Sequence, residues 1–83
     1  MLSQWDKLIM EILRLDKNLR FEDLAKALIK TGYAQQQPKG GSSHYTFRKK
    51  GKTSVTIPKS APMNKVYIEK VRDAIIEHEG EAD

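Results

Sequence analysis

Residues 44–58 read HYTFRKKGKTSVTIP, and this stretch decides the fold. On either side of the central KKGK, apolar side chains alternate with polar ones: Tyr45 and Phe47 before it, Val55 and Ile57 after it. Alternation with a period of two is typical of a strand that buries one face. A polar run containing glycine between two such strands predicts a β-hairpin.

The same alternation divides the side chains of the hairpin between two faces. If the apolar side chains face the core, a polar set projects outward, comprising His44, Thr46, Arg48, Ser54 and Thr56. Pro58 has no backbone N–H to donate to a sheet and is expected to end the second strand. His44 is therefore expected at the start of a strand, on an open polar face beside the cationic KKGK turn.

Segments with helical periodicity flank the hairpin. Apolar residues recur at helical spacing in residues 5–13, 21–29 and 67–75. The expected end signals of these helices are a capping box from Ser3 and Asp6, a left-handed C-cap at Gly32 and an N-cap at Asn64. A weaker strand candidate at residues 33–37 completes the order helix, helix, strand, strand, strand, helix. The predicted fold class is α+β, a three-stranded antiparallel sheet with helices on one face.

Length and composition limit the domain organisation. The 83 residues predict a single domain, 1–83, with an N-terminal helix at 1–17 and an acidic tail at 78–83. The absence of cysteine excludes disulfides and cysteine-based zinc sites. The charged residues among positions 1–17 argue against a signal peptide there, and no run of about 18 apolar residues is expected to span a membrane. A cytoplasmic protein without a cofactor is expected.

The charge of the chain is segregated by position. All 11 acidic residues lie within residues 1–23 or 69–83, and residues 24–68 contain nine lysines and arginines with no acid. A wholly cationic middle on an otherwise acidic chain favours a polyanionic partner such as nucleic acid. A lysine-rich solvated surface is the alternative interpretation.

His44 is the residue in this segment best suited to chemistry. An imidazole can transfer protons near neutrality without special tuning, and RNA supplies its own nucleophile, the 2′-hydroxyl. The loop at residues 40–43, Gly-Gly-Ser-Ser, offers backbone N–H groups that can approach a phosphate. A two-metal nuclease would need clustered carboxylates, which the segment lacks. His44 paired with His78 as metal ligands is poorly supported, since His78 is expected in the last turn of the final helix.

Three stretches together resemble the HicA family of toxin ribonucleases: LRFEDLAKALIKTGY (19–33), KGGSSHYTFRKKGKTSVTIP (39–58) and NKVYIEKVRDAI (64–75). The resemblance covers a core at about 19–77. It implies a fold similar to double-stranded-RNA-binding domains, metal-independent cleavage of mRNA or other single-stranded RNA, and a HicB-like antitoxin partner. The catalytic histidine of the family corresponds to His44, and its glycine turn to Gly40 and Gly41. Two features depart from the family pattern: an extra serine before His44, and the N-terminal helix.

The leading hypothesis is therefore an endoribonuclease toxin with His44 as general base or acid. Lys39, Arg48 and Lys52 are predicted to bind phosphate and stabilise the transition state, and Lys49, Lys50 and Lys59 to add less specific attraction. The loop residues Gly40, Gly41, Ser42 and Ser43 are predicted to contact the phosphate. Two alternatives remain at this point: a non-catalytic RNA-binding module that uses the same face, and an adaptor whose basic face docks an acidic protein.

Overall fold

The computed structural model describes residues 2–37, 40 and 43–81. Its elements are helix α1 (Gln4–Leu13), helix α2 (Phe21–Lys30), strand β1 (Ala34–Gln36), strand β2 (His44–Arg48), strand β3 (Val55–Pro58) and helix α3 (Lys65–Glu81). The predicted α+β class and element order are confirmed. Helix α3 runs through most of the segment predicted as an acidic tail.

The helix termini lie at the capping residues that the sequence predicts. At the start of α1, the Ser3 hydroxyl accepts from the Asp6 backbone N–H at 3.1 Å, and the Asp6 carboxylate accepts from the Ser3 N–H at 3.2 Å. This is the predicted capping box. Gly32 follows α2 with a φ of 101°, a left-handed conformation that favours glycine. Before α3, the Asn64 side chain accepts from the Val66 N–H at 2.9 Å.

The three strands form one antiparallel sheet in the order β1-β2-β3. Tyr45 pairs with Ile57 and Phe47 with Val55, so the apolar positions of β2 and β3 lie opposite one another. Phe47 and Ile57 are fully buried, and the rings of Phe21 and Tyr45 are 4.9 Å apart between centroids. The predicted division of the hairpin into an inner apolar face and an outer polar face is confirmed.

Helix α1 belongs to the core. It contributes the buried side chains Leu8 and Ile12 and packs against α2 and α3. The outer polar face of the sheet lies on the side away from these helices.

Helix α2 differs in detail from its predicted apolar stripe. Ile29, the last residue of the apolar pattern predicted at 21–29, is 51% exposed, and Ala27 is fully buried. Helix α2 contacts α1, α3 and β1, so its buried arc is set by neighbours on several sides rather than by one stripe. Side-chain periodicity alone does not specify which neighbours a helix meets.

Candidate nucleic-acid interface

His44 lies at the open end of the β2–β3 hairpin. It is the first residue of β2, is exposed, and pairs in register with Pro58. One step further out, the Lys59 backbone N–H donates to the Ser43 carbonyl at 2.8 Å, which continues the pairing beyond both strands. The register therefore places Lys59, whose side chain is exposed, beside the entrance to β2.

The outer face of the sheet is mainly polar, with Ala34 opposite Arg48 and the buried Pro58 opposite His44 as its apolar members. In β2 it presents His44, Thr46 and Arg48, and in β3 it presents Thr56, whose hydroxyl lies 3.2 Å from that of Thr46. Neither aspartate nor glutamate occurs in any of the three strands. Within residues 2–37, 40 and 43–81, no group of three potential metal-ligating side chains comes together.

Arg48 and Gln36 lie together at the other end of this face. The Arg48 Nε donates to the Gln36 side-chain oxygen at 2.9 Å, and both side chains are exposed. Gln36 was not predicted as a functional residue. The signal that could have found it is the pairing of β1 with β2, which places Gln36 opposite Thr46 on the outer face.

The cationic turn does not lie beside His44, contrary to the expectation from sequence. A strand rises about 3.4 Å per residue, so the four steps from His44 to Arg48 separate the two ends of β2 by about 14 Å. The turn at residues 49–52 continues beyond Arg48 and is closed by a hydrogen bond from the Lys52 N–H to the Lys49 carbonyl at 3.0 Å. The backbone of Arg48 and of Lys52 therefore lies at the far end of the hairpin from His44, and their predicted role in stabilising the transition state stays a prediction.

Lys49 is held by neighbouring groups of the protein. Its Nζ donates to the Thr31 carbonyl at 2.8 Å, lies 3.2 Å from His78 Nδ1, and sits 5.6 Å from the centroid of the Tyr33 ring. This arrangement links the end of β2 to the C-terminal end of α2 and to α3. The structure therefore places Lys49 in an intramolecular link, and its predicted less specific attraction for RNA stays a prediction.

The remaining predicted cations fall into different environments. Lys52 Nζ forms an ion pair with Glu77 of α3 at 3.0 Å, and its side chain is only 23% exposed. Lys50, at the tip of the turn, is exposed, as is Lys59 at the opposite end of the hairpin. Lys59 was predicted to contribute only general attraction, yet among the described cations of the segment the register brings it nearest to His44. Counting back from the turn with constant antiparallel register would have identified it.

The loop before β2 is described in part. Gly40 is exposed with a φ of 60°, and a Cβ added there would meet no atom within 4 Å. Ser43 is exposed and joins the hairpin through its carbonyl. The predicted phosphate contacts Lys39, Gly41 and Ser42 lie outside the described residues.

A groove of about 520 Å³ lies between the hairpin turn and α3. Its lining carries both signs of charge, with Lys52, Lys70, Asp73 and Glu77, and also includes Tyr33 and Val55. His44 does not line it. The candidate interface is thus the open face of the sheet rather than this concavity.

Comparisons of the chain with protein-family models, with curated proteins and with solved structures found no match. None of the described helices is both long enough and apolar enough to cross a bilayer.

Proposed function

We propose that this protein is an endoribonuclease toxin similar to the HicA family, which cleaves mRNA without a metal and is neutralised by a HicB-like antitoxin. The proposal joins the ordered sequence resemblance over residues 19–77 to the α-β-β-β-α arrangement of that core. This arrangement supports a likeness to double-stranded-RNA-binding domains, with α1 added to the helical layer.

The observation that carries the proposal is the position of His44. Its side chain lies on an exposed polar sheet face, at the start of a strand, where no strand contributes a carboxylate. A histidine that served only in packing would be expected among the buried side chains, which here are almost all apolar. A face that carries Arg48 and whose three strands hold no carboxylate attracts a negatively charged backbone, and the exposed His44 side chain lies on it.

The geometry suits general acid–base cleavage by a single imidazole. His44 accepts the proton of the ribose 2′-hydroxyl, whose oxygen attacks the adjacent phosphorus as the bond to the 5′-oxygen breaks. The leaving oxygen takes a proton from water, the hydroxide so formed takes the proton held by His44, and the products are a 2′,3′-cyclic phosphate, a 5′-hydroxyl and the neutral imidazole. Backbone N–H groups of the loop at residues 40–43 would stabilise the negative charge on the phosphorane. Lys59, one residue beyond the Pro58 that pairs with His44, would add positive potential from the edge of the face. Tyr45 does not take part, because its ring packs against Phe21 on the inner face.

The open sheet face also suits a protein inhibitor. Helix α1 packs against α2 and α3, so it leaves the polar face open to another chain. A HicB-like antitoxin that presents acidic side chains to Arg48 and Lys59 would block access to His44. This partner unites the nuclease hypothesis with the adaptor hypothesis.

The test is cleavage of a synthetic mRNA in EDTA by wild type, His44→Ala and His78→Asn. We expect wild type and His78→Asn to cleave and His44→Ala to lose about 10²–10⁴-fold in rate, the usual contribution of positioned acid–base catalysis. The second histidine is a matched control, since Asn offers Lys49 an oxygen near the position of His78 Nδ1. Equal cleavage by wild type and His44→Ala would remove His44 from its role, and loss of all cleavage with EDTA would indicate a metal enzyme.

A second candidate is a non-catalytic RNA-binding module. One observation favours it. On the described part of the outer face, His44 is the only imidazole, so no second group for proton transfer is evident. This candidate predicts intact RNA after long incubation, together with affinity that falls steeply as salt is raised.

A further inference from the structure

We propose that Arg48, oriented by Gln36, forms a second RNA-phosphate subsite on the outer sheet face, about 14 Å along β2 from His44. The inference rests on the proposed function, because it concerns how the same RNA lies on that face. Gln36 is then a positioning residue, and the rate of cleavage is expected to depend on how many nucleotides flank the scissile bond.

The register of β1 and β2 brings the two side chains together. Gln36 pairs with Thr46 and Ala34 pairs with Arg48, so Gln36 and Arg48 are diagonal neighbours on the same face. Diagonal pairs lie within reach of long side chains. The Arg48 Nε donates to the Gln36 side-chain oxygen at 2.9 Å. This bond uses the N–H at the side of the guanidinium and not the two Nη groups at its end.

This hydrogen bond leaves the forked end of the guanidinium available. Within the described part of the chain, the two Nη groups of Arg48 form neither an ion pair nor a hydrogen bond with another side chain. The planar fork of arginine matches two phosphate oxygens, and such charge-assisted pairs are among the stronger hydrogen bonds. Since none of the three strands holds a carboxylate, no acid within the sheet competes for this fork.

The neighbouring cations do not offer the same site. Lys49 donates to the Thr31 carbonyl and Lys52 pairs with Glu77, so both are already engaged on the helical side of the sheet. Arg48 is therefore the cation at this end of β2 that combines exposure, a fixed orientation and a place on the same face as His44.

The surface between the two ends suits an extended RNA strand. Thr46 and Thr56 form the middle of the face, and their hydroxyls pair with each other at 3.2 Å, so this part is small and polar. At the rise of about 3.4 Å per nucleotide of a stacked strand, 14 Å corresponds to about four nucleotides, and to fewer in an extended strand. A phosphate two to four nucleotides from the scissile bond can thus reach Arg48 while His44 acts on the ribose.

The first experiment compares RNAs of increasing length, from a dinucleotide to an octanucleotide extended on one side or the other of the cleaved bond. Wild type is expected to gain about tenfold in kcat/KM when the extension reaches Arg48, the scale of one charged hydrogen-bonded contact. Arg48→Ala should lose this gain, so that extending the RNA no longer raises its kcat/KM. Lys26→Ala, which removes the same charge from the exposed side of α2, should keep the gain.

The second experiment measures binding without cleavage, so it remains informative if the protein is not a nuclease. Affinity for a 2′-O-methyl RNA dodecamer is followed by fluorescence anisotropy as the salt concentration is varied. For Arg48→Ala, the slope of log affinity against log salt should become shallower by about 0.7, the value for one phosphate on a single strand. Gln36→Leu should weaken binding about threefold and keep the slope, because it releases the orientation of the guanidinium and retains its charge.

Two results would overturn the subsite. If Arg48→Ala lowers cleavage of the dinucleotide and the octanucleotide by the same factor, Arg48 acts on the reacting group or on the fold. If it leaves both the length effect and the salt slope unchanged, no RNA phosphate is bound there. A complete lack of cleavage by wild type combined with the expected change in slope would refute the nuclease and retain the subsite.

Discussion

At the scale of single residues, the adjacent lysines Lys49 and Lys50 have different environments. Lys49 is partly buried and hydrogen-bonded to Thr31 and His78, whereas Lys50, the next residue, is exposed at the tip of the turn. Each carries the same charge, and only the direction of its side chain separates a structural cation from one available to solvent or RNA.

Replacing Lys49 with Met should destabilise the fold, and replacing Lys50 with Met should not. Lys49→Met leaves the Thr31 carbonyl and His78 Nδ1 without their donor, and an unsatisfied buried group costs about 1–3 kcal/mol. Lys50→Met is expected to stay within about 0.5 kcal/mol of wild type. Urea unfolding followed by circular dichroism measures both.

The RNA affinities of Lys49→Met and Lys50→Met are expected to change in the opposite way to their stabilities. Lys50→Met should weaken binding at low salt, and Lys49→Met should leave it unchanged under conditions where the variant is folded. A stable Lys49→Met protein with weakened RNA binding would return Lys49 to the set of RNA ligands and contradict its structural assignment.

At the scale of elements, the β2–β3 hairpin decides which cations lie near His44. Its turn contains Gly51 with a φ of 78°, and the hydrogen bond from Lys52 to Lys49 closes it. The turn sets the register, and the register places Pro58 opposite His44 with Lys59 one step further on. The cationic turn and the histidine are consequently at opposite ends of one hairpin.

Two glycine-to-alanine substitutions are expected to have effects of opposite sign. Gly51→Ala places a side chain in the left-handed region, at a cost of about 1–2 kcal/mol, although its Cβ would meet no atom within 4 Å. Gly80→Ala lies within α3, also without a nearby atom, and should stabilise by a few tenths to about 1 kcal/mol through helix propensity. Thermal unfolding of the two variants tests the pair, and an unchanged or raised melting temperature for Gly51→Ala would show that the turn is not strained by a side chain.

At the scale of the whole molecule, the helical layer forms one side of the core and leaves the opposite sheet face open. Ile12 of α1 is fully buried together with Leu24 and Leu28 of α2, and with Phe47 and Ile57 of the sheet. Helix α1, predicted as an extension to a minimal domain, thus shares the single core. In a chain of this size, the loss of one element removes a large share of the buried surface.

Two neighbouring residues of α1 provide a test of that packing. Ile12→Ala should cost about 2–5 kcal/mol, because it leaves a cavity in the core. Leu13→Ala, at a position 45% exposed, should cost far less. Chemical denaturation of both variants distinguishes them, and equal small losses would mean that α1 is dispensable for folding.

Much of the fold and part of the candidate site could be predicted from the sequence. The hairpin, its two faces and the helix ends at Ser3, Gly32 and Asn64 follow from side-chain period and backbone hydrogen bonding, which act over a few residues. His44 on the outer face follows from the same period. The place of Gln36 depends on the pairing of β1 with β2, which local pattern does not specify, whereas the position of Lys59 near His44 follows once the hairpin register is counted from the turn.

The sequence by itself determined the alternation of the strands, the capping of the helices and the separation of acidic ends from a basic middle, because each is a property of neighbours along the chain. Only the tertiary structure decided which cations remain on the sheet face. Lys49 meets His78 and Lys52 meets Glu77 across separations of more than 20 residues, and such contacts depend on how α3 packs against the hairpin. Packing therefore directs Lys49 and Lys52 to α3 and leaves Arg48 beside Gln36 on the face that His44 shares.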